Sequence, residues 1–194
     1  MNLPQPATPT INRPPKTWTV AEYHAMIAAG IFGAGERLEL IAGEIIPMVP
    51  QEPPHASNTA SFSTGLILKL GNRAMVRTQL PLTLGDRSEP EPDIAVVKPA
   101  GHRYRDRHPT AADVLLLVEV SDSTLGYDRQ RKAQLYAEAG IGDYWVVAVP
   151  LGQVIVLREP QAGGYSSVQA FGPTEQLVPL AFPDVSLLLG DLLL

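Results

Sequence analysis

The chain has no cysteine. Disulfides, thiolate nucleophiles and cysteine-ligated zinc are therefore excluded from its chemistry. Histidine is scarce as well: His24, His55, His102 and His108 are scattered, with no close metal-binding spacing. Any metal would have to be held mainly by oxygen, which favours magnesium or manganese. Positive charge is in deficit. With 15 lysines and arginines against 20 acids, a net charge of -5 and a pI near 5.3, the chain lacks the electropositive coat that passive nucleic-acid binders use to displace counterions. An enzyme is less constrained, because metal-binding carboxylates themselves make a chain acidic. One local basic strip, residues 102–108, is also available to face a substrate. No apolar run approaches the ~18 residues that span a bilayer. The first fifteen residues carry five prolines and no apolar stretch, so a signal-peptide core is missing there. A cytoplasmic protein without a membrane partner is the expectation.

What is present fits one core. A chain of 194 residues with 45% hydrophobic content buries roughly 70% of its unfolded surface. Residues 1–16, polar and proline-rich, read as a flexible lead-in, and residues 17–194 as a single domain. Thr19 stands three residues before Glu22 in a capping-box spacing, and Tyr23, Met26 and Ile27 recur on one face of a first helix that Gly30 stops. Residues 37–41 and 44–46 read as two strands around a tight Ala42-Gly43 turn. The apolar stretch within 55–70 predicts a helix ended by Gly71-Asn72, and alternation over 75–80 predicts a strand. Two apolar strands follow, at 92–97 and 114–120, the second apolar enough to sit at the sheet centre. A helix over 128–139, a strand over 144–149, and further strands at 154–157 and 165–170 complete an α/β pattern without a visible repeat or second domain.

Each of the two apolar strands carries a single carboxylate, Asp93 directly after Pro92 and Glu119. Ionised acids are rarely buried unpartnered, because leaving water costs more than one hydrogen bond returns. A cation is implied, whether lysine, arginine or metal. Strand alternation puts Glu119 and Ser121 on one sheet face and Val120 on the other. On the helix that follows, Lys132 shares a stripe with Asp128, Leu135, Tyr136 and Ala139, on the side that packs against the sheet. A lysine there, taken alone, is an ordinary snorkelling or salt-bridging residue. Joined to two strand carboxylates it marks a site.

The order Pro92-Asp93, then Glu119 inside an apolar strand, then Lys132 resembles the PD-(D/E)XK nuclease superfamily. More closely, residues 38–44, His55, Pro92-Asp93-Ile94, Glu119-Val120-Ser121-Asp122-Ser123-Thr124, Asp128 through Lys132, Tyr136 and residues 140–147 resemble the Uma-type restriction endonucleases, over about residues 17–150. One departure matters: the superfamily lysine stands two positions after the second acid, where this chain has Ser121. The Uma-type pattern implies that Lys132, on the adjacent helix, takes its place. Arg129 and Arg131 lie off the stripe.

The resemblance implies a restriction-endonuclease-like α/β fold, a mixed central sheet flanked by helices. It also implies Mg²⁺-dependent hydrolysis of phosphodiester bonds, most readily in DNA, with Mn²⁺ an alternative ion and a homodimer the expected assembly. Asp93 and Glu119 would ligate the ion, Glu39 would complete the acidic cluster from the N-terminal hairpin, and Lys132 would orient or help deprotonate the attacking water. Two carboxylates about 4 Å apart repel by roughly 4 kcal/mol at an effective dielectric near 20, so at least one raised acid pKa is expected. Glu44 is the second choice for Glu39. His55 stands either as a substrate contact or as a plain helix-start residue, and Asp128 is expected to cap the helix or hold Lys132. Two other readings stand beside this one: a non-catalytic nuclease-fold module that binds nucleic acid or protein, and a hydrolase of another substrate, such as a glycosidase, built on paired carboxylates. Sequence specificity is not legible.

Overall fold

The structure, a computed structural model, describes residues 14–102 and 104–194. Most of the lead-in expected over 1–16 lies outside the described residues; 14–16 are exposed and irregular. Helix α1 (Val20–Ala28) starts where the capping box predicts, with Thr19 and Glu22 each bonding the other's backbone N–H. Its predicted apolar face is only partly used. Tyr23 is buried and Met26 half-buried, but Ile27 is 50% exposed. A hairpin follows, β1 (Leu38–Ile41) and β2 (Glu44–Pro47), closed by Ala42-Gly43 with φ of 51° and 82°. Positive φ at both central residues is the twist that a two-residue hairpin requires. A side chain at Gly43 would also meet Thr17 Cβ at 2.7 Å, so glycine is needed there twice over.

Helix α2 (Pro53–Leu70) begins two residues before the predicted start, with proline in its first turn and no side-chain cap. Packing compensates. Phe62, Leu66 and Leu70 are fully buried, and burial of each contributes about 1.5–3 kcal/mol, more than a missing cap costs. They cover one face of a six-stranded sheet ordered β3-β4-β5-β6-β7-β8. Its strands are β3 (Met75–Thr78), β4 (Ile94–Val97), β5 (Val114–Ser121), β6 (Asp143–Ala148), β7 (Gln153–Gln161) and β8 (Gly164–Phe171). All neighbours are antiparallel except β5 and β6, which are parallel and joined by a helical crossover. Strand β3 stops at Thr78 rather than at residue 80, because Gln79 turns away with φ 52°.

The crossover begins earlier than predicted and is not a uniform helix. It runs as α3 (Leu125–Tyr127), a π-helical turn (Asp128–Lys132) and α4 (Ala133–Glu138). Two apolar cores result, one on each sheet face. Ile94, Val96, Leu116, Val118, Val120, Trp145 and Val147 meet α2 and the C-terminal segment, where β9 (Gln176–Leu177) and β10 (Leu187–Leu188) pair. Ala95, Leu117, Tyr144 and Val146 meet Ala133 and Tyr136 of the crossover on the opposite face. Alternation along β5 therefore turns Glu119 and Ser121 toward the crossover. No helix among the described residues is long and apolar enough to cross a membrane.

Candidate active site

Register delivers the two strand acids to one spot. Ile94 pairs with Val118 across antiparallel β4 and β5, so the next residues outward, Asp93 and Glu119, are opposite one another. Each is fixed by the other's strand: Asp93 N–H donates to Glu119 Oε2 at 3.2 Å, and Val120 N–H donates to Asp93 Oδ2 at 2.8 Å. Glu39 arrives from the β1–β2 hairpin. The loop over 89–91 ties that hairpin in, through paired backbone bonds between Leu40 and Glu89 and a 3.4 Å bond from Glu91 N–H to Glu39 Oε2. From the crossover, Lys132 Nζ lies 3.1 Å from Glu119 Oε1 and 3.5 Å from Glu39 Oε2. Tyr136, one turn on, donates to the same Glu119 oxygen at 2.6 Å. Thus Glu39, Asp93, Glu119 and Lys132, drawn from four separate elements, converge within one buried cluster.

Other residues singled out from the sequence are placed differently. Asp128 accepts from Ser121 (2.7 Å) and Thr124 (2.6 Å), tying the end of β5 to the crossover; no bond to Lys132 is made. Glu44 is exposed and paired with Arg131 at 3.0 Å, outside the cluster. The described residues of the basic strip do not enter the site. Arg107 is held bidentately by Asp113, Arg77 and Arg107 stack on the Tyr104 ring, and none of the strip's described residues lines the cleft. His55, in the first turn of α2, does reach the site, with Nε2 3.1 Å from Asp93 Oδ2. Two tyrosines were missed as site residues. Tyr136 was legible as a stripe residue four positions after Lys132 and as part of the family resemblance, but with no role assigned to it. Tyr127 lines the cleft with a buried hydroxyl that has no partner among the described residues, and no sequence signal marks it.

The cluster forms one wall of a cleft of about 330 Å³, lined by seven carboxylates against one lysine and one histidine. Burial pushes Glu119 up to about 8, opposed by the Lys132 ammonium and reinforced by Asp93 and Asp128. The raised acid expected from repulsion is present, but desolvation outranks repulsion as its cause. Burial opposes ionisation of Asp93 too, yet the hydrogen bond and charge of His55 and the Val120 N–H outweigh it and hold that carboxyl low. Lys132 is held well above its ordinary value: burial works against its charge, and the surrounding Glu119, Glu39 and Asp128 prevail. One acid is thus held ionised beside one pushed toward neutrality.

Among the described residues no group of three histidine, aspartate or glutamate side chains is arranged to hold a metal ion. The donor chemistry nevertheless suits a hard divalent cation, since the converging atoms are carboxylate oxygens. Asp93 Oδ1 accepts no hydrogen bond from a described residue, and Glu39 and Glu119 share a single ammonium between them. Lys132 occupies the position between those two acids where an added positive charge would be stabilised, so a cation held there would compete with the ammonium for Glu119.

Acids from adjacent interior strands, a hairpin acid and a crossover lysine, gathered on one side of a mixed sheet, define a restriction-endonuclease-like α/β fold. Residues 20–190 match the family model Uma2, described as "Putative restriction endonuclease", and the chain belongs to that family. A crystal structure of a "putative nuclease belonging to DUF820" from Anabaena variabilis is similar at 18% identity and a TM-score of 0.66, covering 86% of this chain and 94% of that one. The likeness supports the fold. No curated protein matches the chain.

Proposed function

We propose that the protein is a divalent-metal-dependent endonuclease that hydrolyses phosphodiester bonds in DNA. The observation that carries this is the convergence of Asp93, Glu119 and Lys132 at one cleft wall, in a chain of a nuclease family. Asp93 and Glu119 would hold Mg²⁺, or Mn²⁺ in its place, with Glu39 as a further ligand or its support. The bound cation supplies charge neutralisation and polarisation at the scissile phosphate. Lys132, 3.1 Å from Glu119, would orient the attacking water and stabilise the anion that develops. Tyr136 keeps Glu119 in place through its short hydrogen bond. By analogy with such nucleases, we further propose a homodimer, in which two sites would face the two strands of a duplex. With Mg²⁺ and plasmid DNA, the wild type is expected to nick or linearise, and Asp93→Ala to lose cleavage while keeping its melting temperature within a few degrees. Wild-type protein that cuts no nucleic acid with Mg²⁺ or Mn²⁺ overturns the proposal.

A second reading has one observation in its favour. Every Glu119 oxygen is already bonded, to Lys132, Tyr136 and the Asp93 N–H, as in a cluster whose hydrogen bonds are satisfied without a metal. A non-catalytic nuclease-fold module would keep that arrangement permanently, and the same assay decides between the two.

A further inference from the structure

We propose that His55 is a positioning residue that fixes the rotation of the Asp93 carboxylate and so sets the affinity of the site for a divalent cation. The inference rests on the metal-dependent reading above and goes beyond it by assigning a residue outside the acid and lysine set. Two donors converge on a single Asp93 oxygen: Val120 N–H at 2.8 Å and His55 Nε2 at 3.1 Å, both on Oδ2. Oδ1 accepts nothing from the described residues. A carboxylate gripped on one oxygen by two donors from different elements has lost its freedom to rotate about its last bond, and its other oxygen stays available. With Val120 N–H alone, one hydrogen bond remains, and the carboxylate can turn about it.

His55 is itself held for this task. It sits in the first turn of α2, which Pro53 and Pro54 start, and its other nitrogen, Nδ1, faces Thr59 Oγ1 at 3.5 Å one turn on. A hydroxyl donating to Nδ1 leaves the proton on Nε2, the nitrogen that must donate to Asp93. Its side chain is 15% exposed and lines the cleft, so the ring is packed rather than free to swing. Sheet packing through Phe62, Leu66 and Leu70 anchors the helix that carries it. The arrangement is the reverse of a carboxylate orienting a metal-bound histidine, and it uses the same geometry.

The test is Mn²⁺ affinity of the purified full chain, by calorimetry or by electron paramagnetic resonance of the free ion, alongside melting temperature. His55→Ala is expected to weaken Mn²⁺ binding by about 10–100-fold with little change in melting temperature. His55→Gln, whose amide N–H reaches to a similar distance, is expected to restore binding to within several-fold of wild type. Wild-type affinity in His55→Ala overturns the proposal. So does a loss that glutamine fails to restore, which would make His55 either a ligand or a packing residue. Asp93→Asn separates this from the metal reading: if it leaves Mn²⁺ binding unchanged, or if the wild type binds none, the metal site itself fails and the proposal with it. If Asp93→Asn weakens binding and His55→Ala does not, only the positioning role fails.

Discussion

Two buried acids on neighbouring parts of the same sheet lead opposite lives. Asp143, at the start of β6, is almost fully buried, and its two oxygens accept from Trp145 Nε1, Arg158 and the Leu180 N–H. One acid meets one arginine, and Arg158 goes on to bond Val178 O, stapling the C-terminal segment to the sheet. Glu119, on β5, is equally buried, but it shares one lysine with Glu39 and has Asp93 opposite. Asp143 does not line the cleft, whereas Glu119 does. A buried acid is therefore no sign of a site by itself. Surplus negative charge at an opening is the sign, because packing alone gives no reason to keep it.

That contrast can be broken first at Lys132. Replacing it with alanine is expected to lower cleavage by about 10²–10⁴-fold, the size of effect of removing a proton-transfer or water-orienting group. The same change leaves Glu119 and Glu39 without their ammonium, a loss of about 3–5 kcal/mol. If a cation and the ammonium compete for the same acids, as the proposed site requires, divalent binding should survive in Lys132→Ala. Saturating Mg²⁺ at a hundred times its dissociation constant should then return about 2.7 kcal/mol. Thermal melts with and without Mg²⁺ check this; a variant that Mg²⁺ cannot stabilise contradicts the competition.

At the other acid the expectation is the reverse. Asp143→Ala should cost about 3–5 kcal/mol, by stranding Arg158, the buried Trp145 Nε1–H and the Leu180 N–H, and Mg²⁺ should restore none of it beyond what it adds to the wild type. Cleavage per folded molecule, measured well below the new melting temperature, should match the wild type. A specific loss of cleavage would erase the distinction between the two clusters.

The smallest expected effect is a slope. Glu119 is raised from 4.5 to about 8 in the folded chain, so the folded state binds its proton more tightly than the unfolded state does. The stability tied to that proton is complete below pH 4.5 and is lost as pH rises toward 8. Asp93 has the opposite sign, its contribution being present above its unfolded value and lost on acidification. Without divalent ions, Glu119→Gln should flatten the fall in stability between pH 4.5 and 8, as read by denaturant midpoints at several pH values. An unchanged slope would mean that Glu119 is not the group responsible.

Much of this architecture is legible in the residues. The alternation of β5 announces which way Glu119 faces, the capping box of Thr19 and Glu22 announces the start of α1, and Ala42-Gly43 announces the hairpin, since each depends on neighbours a few positions apart. The pairing of Asp93 with Glu119 was foreseeable only as an implication of family likeness, because it depends on register across 26 residues. The grip of His55 on Asp93 spans 38 residues and leaves no local trace. The π-turn was illegible because Asp128, Lys132 and Tyr136 keep a four-residue spacing that reads as ordinary helix. The basic strip was open to two readings, a substrate-facing loop or a solvated one, because nothing local shows that Arg107 is taken up by Asp113 and the Tyr104 ring. Ile27 misled because α1 is short and its second half faces solvent.

The central claim is that Asp93 and Glu119 hold a divalent cation, and a crystal soaked with Mn²⁺ tests it most directly. The account predicts an anomalous peak between the Asp93 and Glu119 carboxylates, with the Lys132 ammonium displaced from Glu119. A peak elsewhere, or full saturation without one at this position, would contradict it.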